Sequence, residues 1–170
     1  IMDIFTALET RRSIRHYTGE PIDESKIIEA IKYAMYAPSA HNSGSWRFIL
    51  TSKKEHLLQL SKIHPYAKML PEASWAVLFC NDMNAEKTEG YGALNVAASI
   101  ENFLLAIHGM GYGAVWLGIY PRQERMAMMR DFFDLPDYLL PIALCSIGVP
   151  QNIPPQPNRF EPEKILKIYK

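Results

Sequence analysis

Three arginines and a histidine crowd into six residues, Arg11 to His16, in the stretch TRRSIRHY, although the 170-residue chain has a formal net charge of zero. Like charges packed that closely repel one another, so the cluster is either a solvated basic face or a grip on an anion. Guanidinium groups suit the second role. Each presents a planar fork of donors that matches phosphate oxygens two at a time and stays charged at any working pH. Ser13 adds a hydroxyl donor. Far along the chain, Arg159 stands in the otherwise uncharged segment PPQPNRF, where it has little local purpose. That second cation strengthens the anion reading.

Other stretches are more equivocal. APSAHNSGSWRF (37–48) is small, polar and rich in turn formers. Ser39, Asn42 and Ser45 are either turn residues or donors and acceptors for the edge of a heteroaromatic ring; His41 by itself reads as a surface histidine. GMGYGAVWLG resembles a dinucleotide fingerprint only superficially. That motif needs a strand, then glycines, then a helix whose N-terminus meets the pyrophosphate, whereas here the glycines close a helix and open a strand. Gly118 differs from them, because a glycine inside a strand pattern marks close approach of a flat ligand or of another backbone. CxxC, HExxH and helical His pairs are lacking, so no protein-ligated metal is expected. Cys80 and Cys145 lie in apolar runs and read as buried free thiols of a reducing cytoplasm.

These residues must be positioned by a framework that the apolar pattern outlines. Asp3 is placed to cap a short helix with Ile4, Phe5 and Leu8 facing inward, ending near Arg11. Asp23 is placed to cap a second, with Ile27, Ile31, Ala34 and Met35 on one face and Pro38 enforcing its end. WRFILT reads as a strand, KKEHLLQLSKI as an amphipathic helix, and SWAVLFCND as a central strand. The long segment around LNVAASIENFLLAIHG is apolar on more than one face, as expected of a helix covered on most sides, in part by a second subunit. AVWLGIY, RQERMAMMRDFFDL and LPIALCSIGVP follow as strand, helix and core strand. Helices and strands of unequal length in this order predict an α+β layout around one central sheet. After Val149 five of the twelve prolines fall within 150–170. That segment should be an extended arm on a core of residues 1–149, the whole being a single domain.

Composition sets outer bounds. Hydrophobic residues make up 48% and charged residues 21%, the balance of a globular domain. Zero net charge argues against nucleic acid or an anionic membrane as partner. The first residues place their charge after the apolar stretch, unlike a signal peptide, and no apolar run is long enough to span a bilayer.

Taken together, RRSIRHY, APSAHNSGSW, GYGAVWLGIYP and GVPQNIPPQPNRFEPEKI resemble, in order and spacing, the FMN-dependent nitroreductase family, over essentially the whole chain. The resemblance implies a nitroreductase-like α+β fold. Its central sheet is mixed but mainly antiparallel, with flanking helices, and a C-terminal arm is exchanged within an obligate homodimer holding FMN at the interface. It also implies hydride transfer from NADH or NADPH, through flavin N5, to nitroaromatics, quinones or similar acceptors in a ping-pong cycle. No side-chain acid is required. By position, Arg11, Arg12, Ser13 and Arg159 resemble the residues that hold the ribityl phosphate. Arg15, with Lys68 from YAKMLPEAS, resembles the basic pair near the flavin N1–C2=O edge. Pro38, Ser39, Ala40, His41 and Asn42 resemble the loop reaching the ring from the other subunit, and Leu117 and Gly118 the backbone beside the isoalloxazine. One departure stands out: Gly44-Ser45 replaces the Gln-Pro pair that many relatives carry before the tryptophan. Narrower flavin chemistry, such as reductive dehalogenation or flavin fragmentation, and non-enzymatic binding of FMN or an anion are the alternatives. Relatives of the first kind usually add a lid, for which the short connections here leave little room.

Overall fold

The computed structural model describes residues 1–170. Five helices, α1 (Ile4–Thr10), α2 (Glu24–Ala34), α3 (Lys54–Ile63), α4 (Glu89–Gly109) and α5 (Gln123–Phe133), alternate with four strands. The strands are β1 (Trp46–Thr51), β2 (Trp75–Asp82), β3 (Gly113–Gly118) and β4 (Leu139–Gly148). They form one sheet in the order β1-β2-β4-β3, every neighbouring pair antiparallel. Its single parallel contact is a bridge from Ser13, in the loop after α1, to Ala114 on β3.

The two most apolar runs take the two middle positions. All ten residues of β4 are buried, and so is every residue of β2 after Trp75, because a strand covered on both faces has no solvent side to keep polar. Helix α4 lies between the sheet and α2. Phe103 on α4 meets Phe79 on β2 edge-to-face with centroids 5.2 Å apart, and Phe79 meets Phe48 on β1 at 5.4 Å, the geometry favoured by the ring quadrupole. Cys80 and Cys145 are buried, unpaired thiols on the middle strands, and burial pushes the Cys80 thiol up to about 12.

Several sequence expectations are corrected here. Asp3 does cap α1, its Oδ1 accepting from the backbone N–H groups of Phe5 and Thr6. Yet Ile4, Phe5 and Leu8 face outward, Phe5 being 74% exposed, and Ala7 alone is buried. A single chain offers nothing to cover that face. Asp23 occupies the N-cap position of α2 without making a cap bond. Met35 lies one residue past the helix end and is exposed, the buried face being Ile27, Ala30, Ile31 and Ala34. Residues 151–170 run as an exposed arm, regular only at a short turn, Pro162–Lys164.

The loop after α1 is stitched onto the sheet margin. Ile14 N–H donates to Ala114 O at 3.0 Å, Thr18 N–H to Val149 O at 2.9 Å, and Gln151 N–H to His16 O at 2.9 Å. The fit requires glycine beneath it twice. A Cβ at Gly113 would lie 2.7 Å from Ile14 Cβ, and one at Gly148 would lie 2.6 Å from the Tyr17 ring. The Tyr17 hydroxyl anchors the loop by donating to Ile14 O at 2.8 Å and pairing with Ser146 Oγ at 2.7 Å.

Candidate functional site

This anchoring aims the arginines in two directions. Arg12 turns inward and is only 9% exposed. Its Nη1 donates to Arg11 O at 2.6 Å and Glu9 O at 3.2 Å, and its Nε to Pro155 O in the arm at 3.3 Å. Its Nη2 is buried and has no partner. Arg11, in an ion pair with Glu101 at 3.5 Å, joins Arg12 and Arg159 around a cleft of about 630 Å³ walled by Leu8 and Phe160. Burial, followed by the charges of Arg159 and Arg11, pushes the Arg12 guanidinium below its ordinary pKa. His108 beside it, whose Nε2 lies 2.8 Å from Thr10 Oγ1, is pushed down by burial and then by Arg11 and Arg12. Three guanidiniums therefore gather at one opening, and one of them, Arg12, has a buried Nη2 without a partner, a donor set whose chemistry suits an anion.

Ser13 contributes its backbone to the bridge with Ala114, and beyond it the chain emerges at Arg15 and His16. These two line a second cleft of about 390 Å³ with Lys68, Met69, Pro71 and Glu72, so Arg15 and Lys68 come together across 53 residues of sequence. Near it ends β3. Leu117 is buried in the sheet, paired with Leu144. Gly118 carries a carbonyl that accepts from both His64 Nε2 and Arg125 Nη1 at 2.9 Å. His64 Nδ1 in turn accepts from Tyr66 N–H at 3.1 Å, and the Arg125 guanidinium lies 5.3 Å from the Tyr66 ring centroid. The imidazole is therefore the neutral Nε2–H tautomer, consistent with a pKa lowered chiefly by burial. A Cβ at Gly118 would meet only Arg125 Nη1, at 3.8 Å, so no close neighbour within the chain demands glycine there.

The loop Pro38–Asn42 is built differently. It closes as a short turn over Ala40–Asn42, with φ of 56° at His41, 53° at Asn42 and 53° at Gly44. Gly44 N–H donates to Ser39 Oγ at 3.0 Å. Asn95 on α4 accepts from Ala40 N–H at 2.8 Å and donates to Ser43 Oγ at 3.2 Å and Ser45 Oγ at 2.9 Å. His41 is exposed, its Nδ1 3.6 Å from Oε1 of the buried Glu86. This loop does not meet the arginine cluster within one chain. It sits at Asn95, whereas Thr10 touches α4 at His108, about 20 Å further along and on the far side of the helix.

Sequence reasoning missed Asn95, Glu86, His64 and Arg125. A buried asparagine inside an apolar helical run was the one available signal; the others act through contacts distant in sequence.

A profile of the nitroreductase family matches residues 8–79 and 61–149. A Methanothermobacter thermautotrophicus protein, provisionally named NADH dehydrogenase/NAD(P)H nitroreductase, is 35% identical over 96% of this chain and 86% of its own length. Among solved structures, a provisionally named NADH oxidase from Clostridium acetobutylicum superposes with a TM-score of 0.90 at 33% identity, covering 96% of this chain and 99% of that one. A Desulfovibrio desulfuricans structure described as a nitroreductase in complex with FMN superposes at 0.86 over 100% and 99% of the two chains. At 24% identity it speaks to the fold alone.

Proposed function

The chain belongs to the nitroreductase family: it is an NAD(P)H-dependent oxidoreductase that works with FMN, and we propose that it reduces nitroaromatics, quinones or similar acceptors by a ping-pong cycle. When bound, FMN supplies the centre that takes hydride from NADH or NADPH and passes it on. The observation that carries this reading is the buried, partnerless Nη2 of Arg12 beside Arg11 and Arg159, a donor set with the chemistry of a phosphate site. Arg11, Arg12, Ser13 and Arg159 would hold the phosphate. Arg15 and Lys68 would face the N1–C2=O edge, where a fixed cation favours the charge that reduction places there. The backbone at Leu117 and Gly118 would lie beside the ring.

The remaining candidates, Pro38, Ser39, Ala40, His41 and Asn42, would come from the second copy in a homodimer with FMN at the subunit interface. The distance between this loop and the arginines within one chain supports that arrangement, as do the uncovered apolar side chains. Phe5 and Leu8 on α1, and Phe160, Leu166 and Tyr169 on the arm, are all exposed. Residues 150–170 would embrace the partner and 1–149 form the core. No helix is long and apolar enough to cross a membrane, and the unpaired thiols fit a reducing compartment such as the cytoplasm.

The test is anaerobic addition of NADH or NADPH to the purified protein saturated with FMN. Bleaching of the flavin band, restored by menadione or a nitroarene, is the expected result. Failure of both nucleotides to bleach it refutes the proposal.

A further inference from the structure

We propose that Asn95 is a positioning residue that holds the loop Pro38–Asn42 in its flavin-reading conformation; this rests on the reading above that the loop meets FMN. Consecutive L-residues in the left-handed region, here His41 and Asn42, persist only where their surroundings over-determine them. Besides the Gly44 N–H bond to Ser39 Oγ and the contact of His41 with Glu86, three hydrogen bonds of these surroundings converge on one amide. Asn95 is 3% exposed, and the partners of its side chain are Ala40, Ser43 and Ser45, which bracket the left-handed residues on both sides. Nothing on its own helix or on the sheet hydrogen-bonds to that side chain. A buried polar residue serving only the core would be satisfied by core elements, whereas this one is spent entirely on a loop.

The same contact gives Gly44 and Ser45 distinct parts in the loop. Gly44 takes a positive φ at no steric cost, and Ser45, fully buried, supplies the hydroxyl that the Asn95 amide holds. Without that amide, the loop would relax toward ordinary backbone geometry. Only a fraction of molecules would then present Ser39, Ala40 and Asn42 correctly, and apparent affinity falls by that fraction.

The experiment is FMN titration of the apoprotein by fluorescence quenching, with inorganic phosphate competing at the arginine cluster in a second series. Asn95→Leu, close in volume and without polar atoms, is expected to weaken FMN about tenfold or more while the competition constant of phosphate stays within about twofold. Asn95→Asp keeps the acceptor for Ala40 N–H, and the two serine hydroxyls can turn to donate to it. It should restore FMN affinity to within about threefold of wild type. Unchanged FMN affinity in Asn95→Leu overturns the proposal, as does a parallel loss of FMN and phosphate binding, or an Asp variant as weak as Leu. Where Asn95→Leu fails to fold, the Ser43→Ala/Ser45→Ala double variant is the substitute. It should show a several-fold loss, and wild-type affinity there refutes the role. A wild-type protein that takes up no FMN removes the functional reading itself, and this inference with it.

Discussion

Gly148→Ala tests whether the sheet margin sets the position of the opening arginines. The added methyl would sit 2.6 Å from the Tyr17 ring, against about 3.5–4.0 Å for an ordinary carbon contact. The ring or the strand must therefore move by about 1 Å. Tyr17 has little freedom to yield: it is buried, and its hydroxyl is held by Ile14 O and Ser146 Oγ. Overpacking of this kind costs about 1–3 kcal/mol. At about 2–4 °C per kcal/mol for a chain of this size, Tm should fall by about 2–12 °C. Because Tyr17 stands two residues from Arg15, the displacement also reaches the basic loop, and FMN should bind about tenfold more weakly or worse, 1 Å being enough to spoil a positioned contact. Differential scanning fluorimetry and FMN titration read the two effects. A variant with wild-type Tm and wild-type FMN affinity would refute the reasoning that Gly148 exists to seat Tyr17.

Arg12→Ala should leave the purified protein colourless, whereas Arg159→Ala, on the exposed arm, should weaken FMN without abolishing it; the flavin-to-protein absorbance ratio reports both. Arg15→Ala should lower the potential of bound flavin by on the order of tens of millivolts, by removal of a cation that favours the reduced form; an unchanged potential in a dye-equilibration titration would exclude Arg15 from the ring edge. His64 has a folded pKa below the ordinary 6.5 because burial disfavours its charged form. The unfolded chain thus binds more protons just below that value, and the stability contributed by neutral His64 is present above pH 6.5 and lost as pH falls toward the folded pKa. Tm measured from pH 7 down to pH 5 should decline, and His64→Gln should flatten that decline.

The strands and helices were legible because their apolar spacing is a local property: WAVLFC and IALCSIGV are too apolar to lie anywhere but mid-sheet. The arginine cleft was legible for a different reason. Arg159 had no local role in its proline-rich segment, so its partner had to be sought elsewhere, and the structure brings it to Arg11 and Arg12. Ile4, Phe5 and Leu8 show the boundary of such reasoning. Their spacing defines an apolar face correctly, but not whether the cover comes from the same chain. Asn95 showed only as a polar residue inside an apolar helical run, with no hint of its partners in the loop. The bond from His64 to Gly118 O was invisible because it joins segments far apart in sequence, and a single histidine has no periodicity to betray it.

Native mass spectrometry of the protein reconstituted with FMN gives the most direct measurement of a site shared between two copies. Two chains carrying two FMN molecules, separating into flavin-free monomers on activation, are expected. A stable monomer that holds one FMN would contradict the shared site.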